Sequence, residues 1–187
     1  MPPVALVFPA AVIIFILLCI VAMYNGLVRI RNHCDEAWAD VETELKRRYD
    51  LIPNVVNTVK SYAAHERELL EQIVRLREEC AQNWGSPSQQ ADSEQRLQSA
   101  LHGLLARVEN YPDLKASANF LALQEELANT ENRIQAARRF YNGNVRDNNN
   151  RVQTFPSAII AGMFGFTERE YFKLEEPAMA EPPAVSL

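Results

Sequence analysis

The residues that most often carry out catalysis or hold metals are few in this sequence, and their spacing suits neither task. The histidines are three in number: His33, His65 and His102. His65 and Glu66 begin like the zinc-protease motif His-Glu-x-x-His, but Leu69 stands where the second metal-binding histidine is needed. His33 is followed by Cys34, and neighbouring residues on a helix point about 100° apart, so the two are poorly placed to share a metal ion. The sequence therefore predicts no metal site.

The acidic residues and the cysteines build no catalytic group either. Glu78 and Glu79 are adjacent, and adjacent side chains on a helix do not face each other as paired catalytic carboxylates must. Cys34 and Cys80 recur among apolar residues at helical spacing, where a thiol behaves as a small hydrophobic side chain. The sequence contains no phosphate-binding glycine loop and no nucleophile elbow. We therefore predict that the protein is not an enzyme and that it has no catalytic residue, no metal and no cofactor.

The densest cluster of cations is Lys46, Arg47 and Arg48, which is followed by Tyr49 and Asp50. One interpretation is that these cations compensate the dipole at the C-terminus of a helix. The alternative is an ion-pair site, either between helices or between subunits. The three cations and Asp50 are therefore candidate interaction residues. The asparagines at 148–150 are interpreted as the cap or the frayed end of a helix.

The charges of this chain are unevenly distributed along its 187 residues. No charged residue precedes Arg29, whereas Val4–Met23 is a run of twenty apolar residues. At about 1.5 Å per residue such a helix spans roughly 30 Å, the thickness of the hydrocarbon core of a bilayer. A cleaved signal peptide has a basic start, a shorter apolar core and a cleavage site, which this segment lacks. We favour a single transmembrane helix over residues 4–24, and a buried helix of a soluble protein is the weaker alternative.

The flanking charges predict how the chain is oriented in the membrane. Arg29 and Arg31 follow the apolar segment and no basic residue precedes it, so the positive-inside rule places the following residues in the cytoplasm. We expect residues 1–3 outside, residues 25–172 as a cytoplasmic bundle, and residues 173–187, with three prolines, as a flexible tail. The net charge of −5 argues against a nucleic acid as the partner.

Apolar residues recur every three or four positions after the anchor, and no segment shows the alternation of a strand. The pattern predicts that the first helix continues to about residue 50 and ends or kinks at Pro53. Further helices are predicted over 53–82 and 93–109, and another begins after Ser117 as its N-cap. The predicted fold is all-α: an N-terminal transmembrane helix that continues into a long, antiparallel, coiled-coil-like bundle of three to four long helices.

A second apolar segment, 157–166, is too short to cross a membrane. If the helices alternate in direction, this segment lies at the membrane end of the bundle. Its large side chains then either touch the bilayer or pack onto the bundle: Ile159, Ile160, Met163, Phe164 and Phe166. The stretches Tyr24–Asn32 and Tyr141–Asn149 agree at six of nine positions. Unless this agreement is due to chance, we expect both at that same end, on antiparallel helices.

Six blocks of the sequence, in order, closely resemble the LemA family of bacterial proteins. They are Leu45–Val56, Val59–Glu66, Glu109–Ala116, Leu127–Ile134, Ala137–Asn142, and Phe155–Ser157 with Ala161–Phe166. The resemblance extends from the anchor to about Phe172. It implies a membrane-anchored, antiparallel helical protein without an assigned active site, so it adds no catalytic residue. Some members resemble partners of membrane-embedded zinc proteases in envelope quality control, and a related branch resembles proteins that help to form magnetosome membranes.

Together, these observations lead us to expect a non-enzymatic scaffold in the inner membrane. We expect it to contact the lipid bilayer and to form a homo-oligomer through the anchor and the helix that extends it. A membrane zinc metalloprotease is a partner that the resemblance implies. The alternative is a membrane-remodelling or lipid-binding protein, as in the magnetosome-forming relatives.

Overall fold

The structure is a computed structural model that describes residues 4–83 and 85–174. The predicted all-α class is confirmed, because these residues contain helices and no strand. The helices are α1 (Val4–Lys60), α2 (Arg67–Gln82), α3 (Pro87–Val108), α4 (Pro112–Lys115), α5 (Ala118–Gln153) and α6 (Ser157–Phe164). The predicted outer terminus, 1–3, and residues 175–187 of the predicted tail lie outside the described residues.

The sequence predicts that the first helix ends or kinks at Pro53. Helix α1 instead continues past Pro53 to Lys60. Proline has no backbone N–H, so the carbonyl of Tyr49, four residues earlier, loses its partner in the helix. Arg77 replaces the missing donor, since its Nε donates to the Tyr49 carbonyl oxygen at 3.1 Å. The predicted helix end was wrong because this donor comes from α2, and nothing in the sequence near Pro53 reveals it.

The chain instead turns between Lys60 and Arg67. The hydroxyls of Thr58 and Ser61 donate to backbone oxygens four residues earlier, a bond that competes with the regular helix. The amides of Tyr62 and Ala63 both donate to the carbonyl of Val59, and a 3₁₀ turn over Ala64–Glu66 leads into α2. The predicted helix over 53–82 is therefore divided between the end of α1 and α2.

The later helices begin at residues that suit helix starts. Helix α3 begins earlier than predicted, because Ser86 and Gln89 form a reciprocal capping box and Pro87 occupies the first turn. Helix α5 begins directly after Ser117, as predicted, and the carbonyl of Ser117 accepts the N–H of Leu121 at 3.0 Å.

The chain divides into two compact units, and α1 and α5 each contribute to both. Among the described residues, the smaller unit contains those up to Asp40 together with Arg139–Arg169, and the larger contains those of Val41–Arg138 and Glu170–Leu174. The larger unit has an apolar core to which α1 to α5 all contribute. Its most deeply buried members include Ile52, Val59, Ile73, Leu97, Leu104, Leu114 and Phe120.

In the smaller unit, two buried asparagines of α5 hold the segment that follows α6. Gly165 adopts a left-handed conformation with φ of 72°, and the N–H of Phe166 donates to Ala161 at 2.9 Å, which closes the end of α6. The Asn149 amide then donates to the carbonyl of Arg169 and accepts its N–H, at 3.0 and 2.8 Å. Asn148 likewise donates to the carbonyl of Thr167. The predicted cap or frayed end at 148–150 is therefore wrong, because α5 continues to Gln153 and these amides bind a neighbouring segment.

Candidate functional site

The larger unit contains a fully buried arginine surrounded by acids from two other helices. Arg48 of α1 pairs with Glu94 of α3 and with Glu131 of α5, the latter at 2.9 Å. The Tyr49 hydroxyl donates to Glu94, and Gln98 donates to Glu131 at 2.9 Å. We refer to these five residues as the ionic cluster.

Burial and charge act in opposite directions on the groups of the ionic cluster. Burial alone lowers the pKa of Arg48, but the carboxylates of Glu94 and Glu131 outweigh it and raise that pKa above the usual guanidinium value. Burial, reinforced by the charge of Glu94, raises the pKa of Tyr49. Burial also raises the pKa of the nearby Cys80 thiol to about 12, so this cysteine stays protonated and unreactive at neutral pH.

This arrangement suits a structural task better than a catalytic one. Glu94 is 1% exposed and Arg48 is 0% exposed, so neither group faces solvent from which a substrate arrives. Their bonds join α1, α3 and α5. Within the described ranges, no group of three or more His, Cys, Asp or Glu side chains is placed to hold a metal ion.

The remaining cations of the sequence cluster lie outside this network. Lys46 and the neighbouring Asp50 are exposed, and Arg47 pairs with Glu44 of its own helix, at 3.4 Å. The interpretation as helix-end cations is wrong, because α1 continues well past them. Arg48 makes the interhelix ion pair that was the alternative.

The smaller unit packs α6 against the last turns of the apolar N-terminal segment. Ile160 and Ala161 of α6 are buried with Leu27 of α1. Ile20 and Met23, the last turn of the predicted membrane span, pack against the same cluster. Helix α6 therefore contacts α1 where the span ends.

The other side of α6 is exposed and apolar. Ile159 is 55% exposed, Met163 71% and Phe164 53%, and Phe155 just before the helix is 77% exposed. We refer to these four residues as the α6 surface. Of the five predicted contact residues, the structure thus buries Ile160, half-buries Phe166 and leaves the other three exposed.

Aromatic rings and arginines surround the junction between α6 and α1. The ring of Tyr24 meets the rings of Phe164 and Phe166 edge-on, with centroids 4.9 and 5.7 Å apart. The guanidinium of Arg31 lies 5.6 Å from the Phe166 ring centre. Arg151 of α5 donates to the carbonyl of Gly26 at 3.2 Å.

Both copies of the repeated sequence lie in this smaller unit. Trp38 packs against Tyr141 at 5.0 Å between ring centres, whereas Arg151 contacts Gly26. Moving along α1 from Gly26 to Trp38, the contacts on α5 run backwards from Arg151 to Tyr141. The two stretches are therefore antiparallel, as expected.

Helix α1 contains the one segment of the described residues that is long and apolar enough to cross a membrane, by length and composition. The large apolar side chains of this segment are mostly exposed: Phe15 is 68% exposed and Leu18 63%. Such exposure suits a lipid environment.

Sequence reasoning missed Glu94, Glu131 and Tyr24. Glu94 stands three positions before the buried Leu97, on the apolar stripe of α3, and a charge at a stripe position was the available signal. Tyr24 directly follows the apolar run, where aromatic residues are typical of a membrane boundary.

Comparison with known proteins places the chain in a family. The model of the LemA family matches residues 37–187, so the chain belongs to the LemA family. It is similar to Protein LemA of Metamycoplasma hominis, with 26% identity over 137 residues, 73% of this chain and 63% of that protein. It is also similar to Magnetosome protein MamQ of Magnetospirillum gryphiswaldense, with 24% identity over 184 residues, 85% of this chain and 67% of that protein.

Proposed function

We propose that this LemA-family member is a non-enzymatic scaffold in the bacterial inner membrane, which self-associates and presents a cytoplasmic helical bundle to another membrane protein. A membrane zinc metalloprotease is the partner that the family resemblance suggests. The chemistry of the described residues supports a structural role, because the ionic cluster joins three helices and keeps Arg48 and Glu94 away from solvent.

The observation that carries this proposal is the continuity of α1. Its first part exposes apolar side chains such as Phe15, and its later part buries Val41 and Leu45 in the bundle. One unbroken helix thus serves both as anchor and as structural member. The exposed sides of the anchor, together with Phe140 of α5 at 61% exposure, offer apolar surface to a second copy.

Photo-cross-linking in native membranes tests the self-association. A benzophenone amino acid replaces Phe140, and the control places the same group at Arg146, an exposed residue about 120° around α5 from Phe140. We expect a dimer band from position 140 and a weaker one or none from position 146. Only monomer at position 140, while a known oligomer in the same membranes cross-links, would contradict self-association.

A second candidate function, membrane remodelling, is favoured by the α6 surface. An apolar helix that enters one leaflet beside an anchor displaces lipid on that side only, which favours curvature. Electron microscopy of vesicles reconstituted with the full chain tests this function. Tubules or small vesicles that depend on Met163 and Phe164 support it, and unchanged vesicles exclude it.

A further inference from the structure

We propose that the α6 surface and three arginines near the end of the anchor bind anionic phospholipids in the leaflet where the anchor ends. The acyl chains meet the α6 surface, and the headgroup phosphates of the surrounding lipids meet Arg29, Arg31 and Arg151. This inference rests on the proposed membrane anchorage and adds to it a lipid class and a set of residues.

The depth of α6 follows from its contacts with the anchor. Ile160 and Ala161 share one cluster with Ile20 and Met23, which belong to the apolar run. A helix packed on those residues lies at their depth when the run crosses a bilayer. The exposed side of α6 then faces the boundary between acyl chains and headgroups.

The apolar composition of α6 makes exposure of its outer side to water unfavourable. Ser157 at its start is its only polar residue. A helix that is apolar on all sides is normally buried in protein or in lipid. Here one side packs on α1, while Ile159 and Met163, four positions apart, face outward together. These side chains adjoin the exposed apolar surface of the anchor, so we infer that the same lipid contacts both.

Charge identifies the headgroup. Arg29 and Arg31 are the first charged residues after the anchor, and Arg151 lies beside Gly26. The acids of α1 begin only at Asp35, and Asp35 is already paired with Arg169 at 2.8 Å. Asp147 of α5 lies one turn before Arg151 on the same face of that helix, and it pairs with Arg146 at 3.7 Å. The arginines nearest the anchor are therefore a cationic set suited to a phosphate with net negative charge.

The acyl-chain part of the site is tested with added tryptophans in the full chain. Met163→Trp is compared with Phe140→Trp, which adds the same group at a similarly exposed position on α5. Both are reconstituted in vesicles of phosphatidylcholine whose acyl chains carry bromine, a short-range quencher, and the emission of the parent chain is subtracted. We expect strong quenching of the tryptophan at position 163 and little at position 140. Equal quenching at the two positions overturns the acyl-chain contact.

The headgroup part is tested by lipid competition. The full chain is reconstituted in equimolar phosphatidylcholine and phosphatidylglycerol, extracted gently, and the bound lipids are quantified by mass spectrometry. We expect several-fold enrichment of phosphatidylglycerol, which is lost in the triple variant Arg29→Gln, Arg31→Gln, Arg151→Gln. The control variant, Arg133→Gln with Arg139→Gln, also removes exposed charge and keeps the enrichment. No enrichment, or equal loss in both variants, overturns the headgroup site.

Failure of this inference is distinguishable from failure of the anchorage. Carbonate extraction of native membranes reports whether the chain is integral, whatever lipid it prefers. Release of the chain by carbonate overturns the anchorage and with it the lipid site. An integral chain without lipid preference and without quenching overturns only the lipid site. Circular dichroism of each variant shows that its helices are retained.

Discussion

Arg48 is stable inside the protein only because two carboxylates accompany it. Removing a charged group from water costs several kcal/mol, and the attraction of Glu94 and Glu131 offsets this cost while all three are in place. We expect the cluster to contribute mainly by favouring one arrangement of α1, α3 and α5 over others. Loss of one member is therefore more damaging than loss of a pair at the surface.

Glu94→Ala tests this argument. It removes the buried carboxylate that faces both Arg48 and Tyr49, so we expect the free energy of unfolding to fall by about 3–5 kcal/mol. Glu79→Ala is the matched control, since Glu79 pairs with Arg96 and its side chain is 47% exposed. That change costs at most about 1 kcal/mol. Urea unfolding of the full chain in detergent measures both, and losses of equal size contradict the role of the cluster.

Alkaline pH tests the burial of Tyr49. Its pKa is raised in the folded chain, so above about pH 10 the unfolded chain releases this proton while the folded chain keeps it. Stability therefore falls as pH rises through that range, by up to about 1.4 kcal/mol per pH unit. We expect Tyr49→Phe to remove this part of the slope, whereas Tyr62→Phe, at an exposed tyrosine, leaves it. Identical slopes in the two variants would show that Tyr49 ionises freely.

At the residue scale, the sequence contains a signal for which residues are buried but none for which partners they meet. Arg48 stands three positions after Leu45 and four before Ile52, both buried, so its place on the stripe was readable. Its partner Glu94 is 46 residues away in sequence, and helical spacing relates only residues within a few turns. The asparagines at 148 and 149 were misread for the same reason, because their partners lie on the segment after α6.

At the scale of elements, α1 passes through a proline that ordinarily ends a helix. The carbonyl of Tyr49 lacks its helical donor, and Arg77 of α2 provides another. This bond also ties α2 to α1 beside the ionic cluster. A polar group left without a partner in such a place costs about 1–3 kcal/mol.

Arg77→Met leaves that carbonyl without its donor and is expected to destabilise the chain by about 1–3 kcal/mol. In a Pro53→Ala background the backbone N–H of residue 53 can donate to the Tyr49 carbonyl. Arg77→Met is then expected to lower the free energy of unfolding by less. Thermal unfolding of the four chains in this double-mutant cycle measures the coupling. Arg75→Met, at an exposed neighbour, is the control. An equal cost of Arg77→Met in both backgrounds contradicts the explanation of why α1 continues.

The helical class and the number of long helices were predictable because their apolar pattern repeats over many residues, whereas the turn between α1 and α2 was not. Pro53 is a strong local signal for a helix end, and the competing signal, the hydroxyls of Thr58 and Ser61, is weak in any sequence. The start of α5 was predicted correctly because Ser117 acts locally. A helix start set by a neighbouring residue could be predicted from the sequence. A hydrogen bond supplied by a distant helix, such as that from Arg77, could not.

At the scale of the whole molecule, the distribution of arginines predicts the topology. We expect Ser88→Cys to be protected from a membrane-impermeant maleimide in intact cells and labelled after permeabilisation. Pro2→Cys is expected to label without permeabilisation. Cys34 and Cys80 are buried, and Cys19 lies within the candidate membrane span, which keeps the background low. Labelling at 88 alone in intact cells would reverse the orientation.

The apolar run predicted the candidate span, and the second apolar segment, 157–166, identified α6 as a segment of interest. The sequence did not separate packing from lipid contact for α6, because both use the same apolar residues. Ile160 is buried and Ile159 is exposed. The two neighbours have the same side chain, so the sequence alone does not show which of them packs against α1.

The central claim, a self-associating scaffold anchored in the membrane, is tested most directly by its mass in native lipid. Membranes containing the full chain are dissolved into polymer-bounded lipid discs, and the protein mass in each disc is measured by native mass spectrometry. We predict a complex whose mass is a defined multiple of the 21.2 kDa chain. A uniform population of single chains, under conditions that preserve a known membrane oligomer, would contradict the claim.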